Sequence, residues 1–210
     1  MTLQNYAQWC SNIYNDIYPA NLLEGYANNG FDSWIIDSAS EIVIVIRGTD
    51  DIHDILQDIS MVAGILPSHT KYADEIFSSA LIHANKLQKP IVATGHSLGG
   101  SLCQYLTYKN AIHSYNFNPY GILDCIRCTQ IAEQRINLCM NYCITDDVVS
   151  GSSMQYQFGK VIMWDIPNAD EVMRNMSLPQ MILYRHSIDT CIKLIKEMYM
   201  SEIICPHCNN

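Results

Sequence analysis

The sequence predicts an α/β fold around a mostly parallel sheet, and three observations carry that prediction. Residues 41–49, "EIVIVIRGT", are a β-branched apolar run of the kind buried on both faces of a parallel sheet. Such runs recur along the chain in alternation with segments of helical apolar spacing. One of them, "PIVATG" at 90–95, passes through a glycine-flanked serine straight into a helical segment.

The elements follow in order. Residues 1–27 read as a helical segment, with Tyr6, Trp9, Ile13 and Ile17 at helical intervals. The strand at 41–49 comes next. "ISMVAGILPSH" at 59–69 is apolar without strict periodicity, and reads either as a core segment or as a short lid. Residues 69–88 carry Tyr72, Ile76, Ala80, Leu81 and Ala84 at helical spacing, and Pro90 closes them. After the strand at 90–95, "SLGGSLCQYLTYKNA" reads as a helix. Strands are expected at 114–119, 135–144 and 159–166. The segment at 187–203 is helical, with Cys191, Ile192, Leu194, Ile195 and Met198 as its apolar side.

A chain of 210 residues fits one domain, 1–210, with a core over about 36–200 and the helical segment in front of it. It can bury a real core and needs no metal or disulfide to fold. The formal net charge of -9 argues against a nucleic-acid partner and against simple attraction to anionic membranes. No apolar run is long enough to span a bilayer, which leaves peripheral contact with a lipid surface. The start lacks a basic region followed by an apolar run. The expectation is a cytoplasmic protein, or one exported without a cleavable signal peptide. The nine cysteines are odd in number and are read mostly as reduced thiols.

Gly95-His96-Ser97-Leu98-Gly99 matches G-x-S-x-G, and Gly100 extends it. Glycines are needed here because the turn is sharp and side chains at 95 and 99 would meet neighbouring backbone. The turn lifts the Ser97 hydroxyl out of the sheet and sets the Leu98 N–H at a helix amino end, aimed at a developing oxyanion. The competing reading is a plain glycine-rich connection, and the strand–turn–helix context disfavours it.

A serine hydroxyl needs a base, and the base needs an orienting carboxylate. After Ser97 the histidines are His113, His186 and His207. His113 comes too early and His207 lies near the chain end, so His186 is the base. Taken alone, His186 would read as a surface or capping residue. Asp146 and Asp147 directly follow a predicted strand and are the best acids. Spacing alone leaves those two neighbours open.

These residues resemble the class 3 lipase family, the fungal-lipase-like branch of the α/β hydrolases. "VIRGTDDIHDILQDI" is similar to the family's strand ending in Arg-Gly-Thr, with Asp54 and Asp58 matching and Ile55 where a Trp is usual. "VATGHSLGG" resembles its nucleophile elbow. "YNFNPYG" resembles its Phe-Gly-x-Pro turn, with Asn118 in place of the glycine. "TDDVVS" resembles its Asp-x-Val-Pro segment, and that register implies Asp147 as the acid, with Ser150 replacing the proline. The resemblance implies an α/β-hydrolase fold, a Ser97–His186–Asp147 triad, no cofactor, and Thr49 beside Leu98 in the oxyanion hole. Arg47 is read as structural, paired with Asp54 or Asp58.

The activity this implies is hydrolysis of a carboxylic ester, of a lipid first, through an acyl-enzyme. Phospholipase A1 or transacylase chemistry on the same triad is the alternative, and a catalytically silent lipase-like binding module is the rival from another class. Cys125, Cys128, Cys205 and Cys208 form two C-x-x-C pairs, which make zinc a weak alternative. Cys139 and Cys143 are read as core, and His96 as a support of the elbow.

Overall fold

The computed structural model describes residues 1–49, 59–123 and 133–204, with side chains at 1–49, 68–123 and 134–199. Helix α1 (Leu3–Tyr14) precedes a hairpin of β1 (Leu22–Asn28) and β2 (Phe31–Asp37), and then β3 (Ile42–Ile46). Helix α2 (Ile59–Leu87), β4 (Ile91–His96), α3 (Leu98–Asn110) and β5 (His113–Phe117) follow. Next come α4 (Glu133–Ile136), β6 (Cys139–Ile144), α5 (Val148–Ser152) and β7 (Lys160–Trp164). The chain ends on α6 (Ala169–Val172), α7 (Leu178–His186) and α8 (Ile188–Ile204).

The seven strands form one sheet in chain order, β1 to β7. The first two pairings are antiparallel, and the four from β3 to β7 are parallel. Strand β3 explains its own sequence. Ile42, Ile44 and Ile46 face a core with α2 and α3, whereas Val43 and Val45 face a core with α1 and α8. A strand buried on both faces has no polar side to alternate with, so it reads as continuous Val and Ile. The carboxyl ends of β4, β5 and β6 lie side by side at the centre of the sheet, where a site in such a fold belongs.

Two differences from the sequence expectation stand out. The first 27 residues are not helical throughout. Helix α1 stops at Tyr14, Ile17 lies beyond it and is exposed, and Leu22–Asn28 is an edge strand. The sheet therefore begins ahead of residue 36. Strand β1 alternates half-buried and exposed residues without strong β-branching, so only its pairing to β2 makes it a strand. The second difference is α2, which starts at Ile59 and not at 69. Gly64 and Pro67 hide that first stretch from a periodicity reading. The residues paired with the Arg47 prediction, Asp54 and Asp58, lie outside the described residues. Arg47 pairs with Asp32 across 2.9 Å and sits over the Tyr14 ring.

Candidate active site

Ser97 sits between β4 and α3 with φ 56 and ψ -128, a backbone conformation that costs a non-glycine residue about 1–3 kcal/mol. The glycines beside it are fixed by space. A Cβ on Gly99 would lie 2.1 Å from the Ile46 carbonyl oxygen, and one on Gly95 would lie 2.4 Å from the Gly99 carbonyl carbon. Neither backbone can yield without breaking the sheet or the helix. Gly48 carries the same message from the other side: its Cβ would lie 2.7 Å from the His96 carbonyl oxygen and 3.1 Å from Ser97 Cβ. The end of the Arg-Gly-Thr segment is thus pressed onto the elbow, with half-buried Thr49 next along the chain. Leu98 opens α3, so its N–H is one of the first-turn donors that have no acceptor within the helix.

His186 ends α7 and is fully buried. Its Nδ1 lies 2.9 Å from Asp147 Oδ1. A carboxylate only accepts, so Nδ1 carries a proton, and in the neutral ring the lone pair is on Nε2. Asp147 caps α5: its Oδ2 accepts from the Ser150 N–H at 3.0 Å and from the Ser150 hydroxyl at 2.7 Å. Burial works against the Asp147 charge, but the interaction with His186 and the hydrogen bonds from His186 and Ser150 outweigh it. They hold its carboxyl below the ordinary carboxylate value. Asp146 goes elsewhere. It is exposed and pairs with Arg185 at 2.6 Å. The structure thus brings Asp147, not Asp146, to His186. Ser150, which replaces the family's proline, supplies what a proline lacks, a backbone N–H and a hydroxyl.

Two buried polar atoms at this site have no hydrogen-bond partner among the described residues: Ser97 Oγ and His186 Nε2. An orphaned buried polar atom costs about 1–3 kcal/mol. The two rings are close as well, with the His96 and His186 centroids 4.8 Å apart.

Sequence reasoning missed the layer behind His186. The His96 Nε2–H donates to the His186 carbonyl oxygen at 2.6 Å, and its Nδ1 accepts from the Tyr14 hydroxyl at 3.0 Å. That wiring suits the neutral ring. Burial, with the nearby His186 adding to it, pushes the His96 pKa down to about 3. On unfolding, His96 regains its ordinary affinity for a proton, so the unfolded chain binds more protons below about pH 6.5. The resulting stability is full above that pH and is lost as pH falls towards 3. The thermal midpoint should drop between about pH 6.5 and pH 4, and His96→Gln should flatten that slope. Equal slopes for the two proteins would remove His96 as the cause.

Beside Tyr14 and His96 lies a cavity of about 720 Å³. Met176, Leu183, Tyr184 and Ile188 give it apolar walls, and Lys193 and Asp189 also line it. Ser97 itself is wholly buried and does not line this cavity. Cys139 and Cys143 are buried in the sheet, and burial pushes both thiols up to about 12. The zinc alternative at Cys125, Cys128, Cys205 and Cys208 lies outside the described residues. Among the described residues, no helix is long and apolar enough to cross a membrane.

No protein-family model matches the chain, and no curated protein matches it. Solved structures do. A deletion mutant of the Rhizomucor miehei lipase with its propeptide superposes with a TM-score of 0.60 at 15% identity, over 79% of this chain and 66% of that one. Lipase II from Rhizopus niveus gives 0.58 at 15% identity, over 78% and 79% of the two chains. A fungal lipase–inhibitor complex gives 0.57 at 16% identity, over 80% of each. This chain spans less than two thirds of the propeptide-bound lipase that it matches. The likeness is one of fold, and the fold it identifies is the α/β hydrolase in the form taken by the fungal lipases.

Proposed function

We propose that this protein is a serine hydrolase that cleaves carboxylic esters, with a lipid ester as its substrate class. One observation carries the reading. Ser97 Oγ and His186 Nε2 are both buried and unpartnered among the described residues, and His186 is held by Asp147 in the tautomer that makes Nε2 the base. Ser97 Oγ attacks the acyl carbonyl carbon while His186 Nε2 takes the hydroxyl proton. The Asp147 carboxylate stabilises the imidazolium that forms. The N–H groups of Leu98 and Thr49 hold the oxyanion, each contributing about 3 kcal/mol to the barrier reduction. His186 returns the proton to the leaving alcohol, and water then repeats the cycle on the acyl-enzyme. The fold shared with the Rhizomucor miehei triacylglyceride lipase supports a lipid ester as the substrate class.

The test is labelling of the folded protein with a fluorophosphonate probe, with and without detergent micelles, followed by peptide mapping. The expected product is a single phosphonylated residue, Ser97. Because Ser97 has no exposed surface, labelling should be faster when an amphiphile is present. A folded protein that stays unlabelled under both conditions overturns the hydrolase reading and favours a silent binding module.

A further inference from the structure

We propose that Asn118 is a positioning residue, whose side-chain amide holds the backbone at His186 and so sets the imidazole between Asp147 and Ser97. The proposal rests on the hydrolase reading above.

Asn118 is wholly buried at the carboxyl end of β5, beside the strand that leads into Ser97. Its φ of 44 lies in the left-handed region, which asparagine tolerates better than most residues other than glycine. The resemblance puts a glycine at this position, and a glycine would make the same turn. It would not supply the amide. Both ends of that amide are in use. Oδ1 accepts from the Ile144 N–H at 2.8 Å, and Nδ2 donates to the carbonyl oxygens of Arg185 at 3.0 Å and His186 at 3.2 Å. The orientation is forced, because a backbone N–H can only donate and a carbonyl can only accept.

These three partners are the ones that matter for the site. Ile144 is the last residue of β6 and leads directly into Asp146 and Asp147. Arg185 and His186 are the last residues of α7, where carbonyl groups lack intrahelical acceptor duty and need outside donors. Asn118 therefore ties the strand that delivers the acid to the helix that delivers the base. The His186 carbonyl oxygen also accepts from His96 Nε2, so it is gripped from β4 and β5 together. A backbone held at that point fixes where the ring of His186 can turn. A shift of about 1 Å at a reacting group costs about a hundredfold in rate.

The experiment compares Asn118→Gly with wild type, with Asn118→Asp as the second variant. Glycine keeps the turn and removes the amide. Aspartate keeps the acceptor for Ile144 and the turn, and its ionised form replaces the donor with a charge facing two carbonyl oxygens. Three quantities are read: kcat and KM for a p-nitrophenyl ester, thermal midpoint, and the proton resonance of His186 Nδ1–H. The expected result for either folded variant is a kcat lowered about tenfold to a hundredfold with KM within about twofold. The Nδ1 resonance should move or broaden. A folded variant with wild-type kcat and an unmoved resonance overturns the proposal, even if its midpoint falls, because Asn118 is then only a helix cap. The resonance also separates the two failures. If wild type shows no ester turnover, the hydrolase reading fails, while a resonance unmoved by Asn118→Gly still overturns the positioning role and a moved one still supports it.

Discussion

Replacing Ser97 with glycine is expected to abolish ester turnover and to raise the thermal midpoint. The loss of activity should be about 10⁶-fold, down to what oxyanion donors and binding supply without a nucleophile. The gain in stability has two sources. Serine at φ 56 and ψ -128 carries strain of about 1–3 kcal/mol, and glycine removes it. The buried Oγ has no partner among the described residues, an orphan that costs about 1–3 kcal/mol. Against these stand the entropy of glycine, about 0.5–1 kcal/mol, and the packing of the lost Cβ and hydroxyl. A net gain of about 1 kcal/mol is expected, or about 2–4 °C in the midpoint for a chain of this size. Ser97→Ala keeps the strain and should gain less. Calorimetry with ester kinetics on the same preparations checks both effects. A glycine variant less stable than wild type would mean that Ser97 Oγ is well bonded in solution, and the picture of a poised nucleophile would fail.

The second large effect separates two adjacent aspartates. Asp147→Asn should lower kcat about 10⁴-fold while the fold survives. The reason is a proton in the wrong place. Ser150 donates twice into Oδ2 of Asp147, so an asparagine amide would turn its oxygen to Ser150 and its NH₂ to His186. The His186 Nδ1 would then have to accept, and the ring proton would move to Nε2, which could no longer take a proton from Ser97. Asp146→Asn should leave kcat nearly unchanged and cost less than about 1 kcal/mol, because the Asp146 end of its ion pair with Arg185 is exposed to solvent. Near-normal turnover in Asp147→Asn, or a collapse of turnover in Asp146→Asn alone, would mean that another carboxylate orients the base.

Much of the fold was legible because its central strands are extreme. "IVIVI" admits no reading but a strand buried on both faces, and "PIVATGHSLGG" states its turn through glycines that have no room for a Cβ. The edge was not legible. Strand β1 is half exposed and takes its conformation from pairing with β2, and α7 carries its capping box and proline ahead of a weakly periodic run. His186 was found by elimination, and nothing in its own neighbourhood marks it. Asp147 is of a residue type favoured at helix N-caps and caps α5, yet that preference says nothing about histidine. Asn118 was noticed only as a departure from the turn that the chain resembles, and Tyr14 not at all. Their roles behind His186 involve partners far away in the chain.

By itself the sequence determined the order of the parallel strands' segments and the glycine-flanked turn that carries Ser97, because these depend on burial and on backbone strain within a few residues. Only the tertiary structure decided which aspartate meets His186, that Arg47 pairs with Asp32, and how His96 and Asn118 hold the His186 backbone. Each of those depends on a contact between chain segments brought together at the carboxyl ends of neighbouring strands, and no local pattern encodes the distance between them.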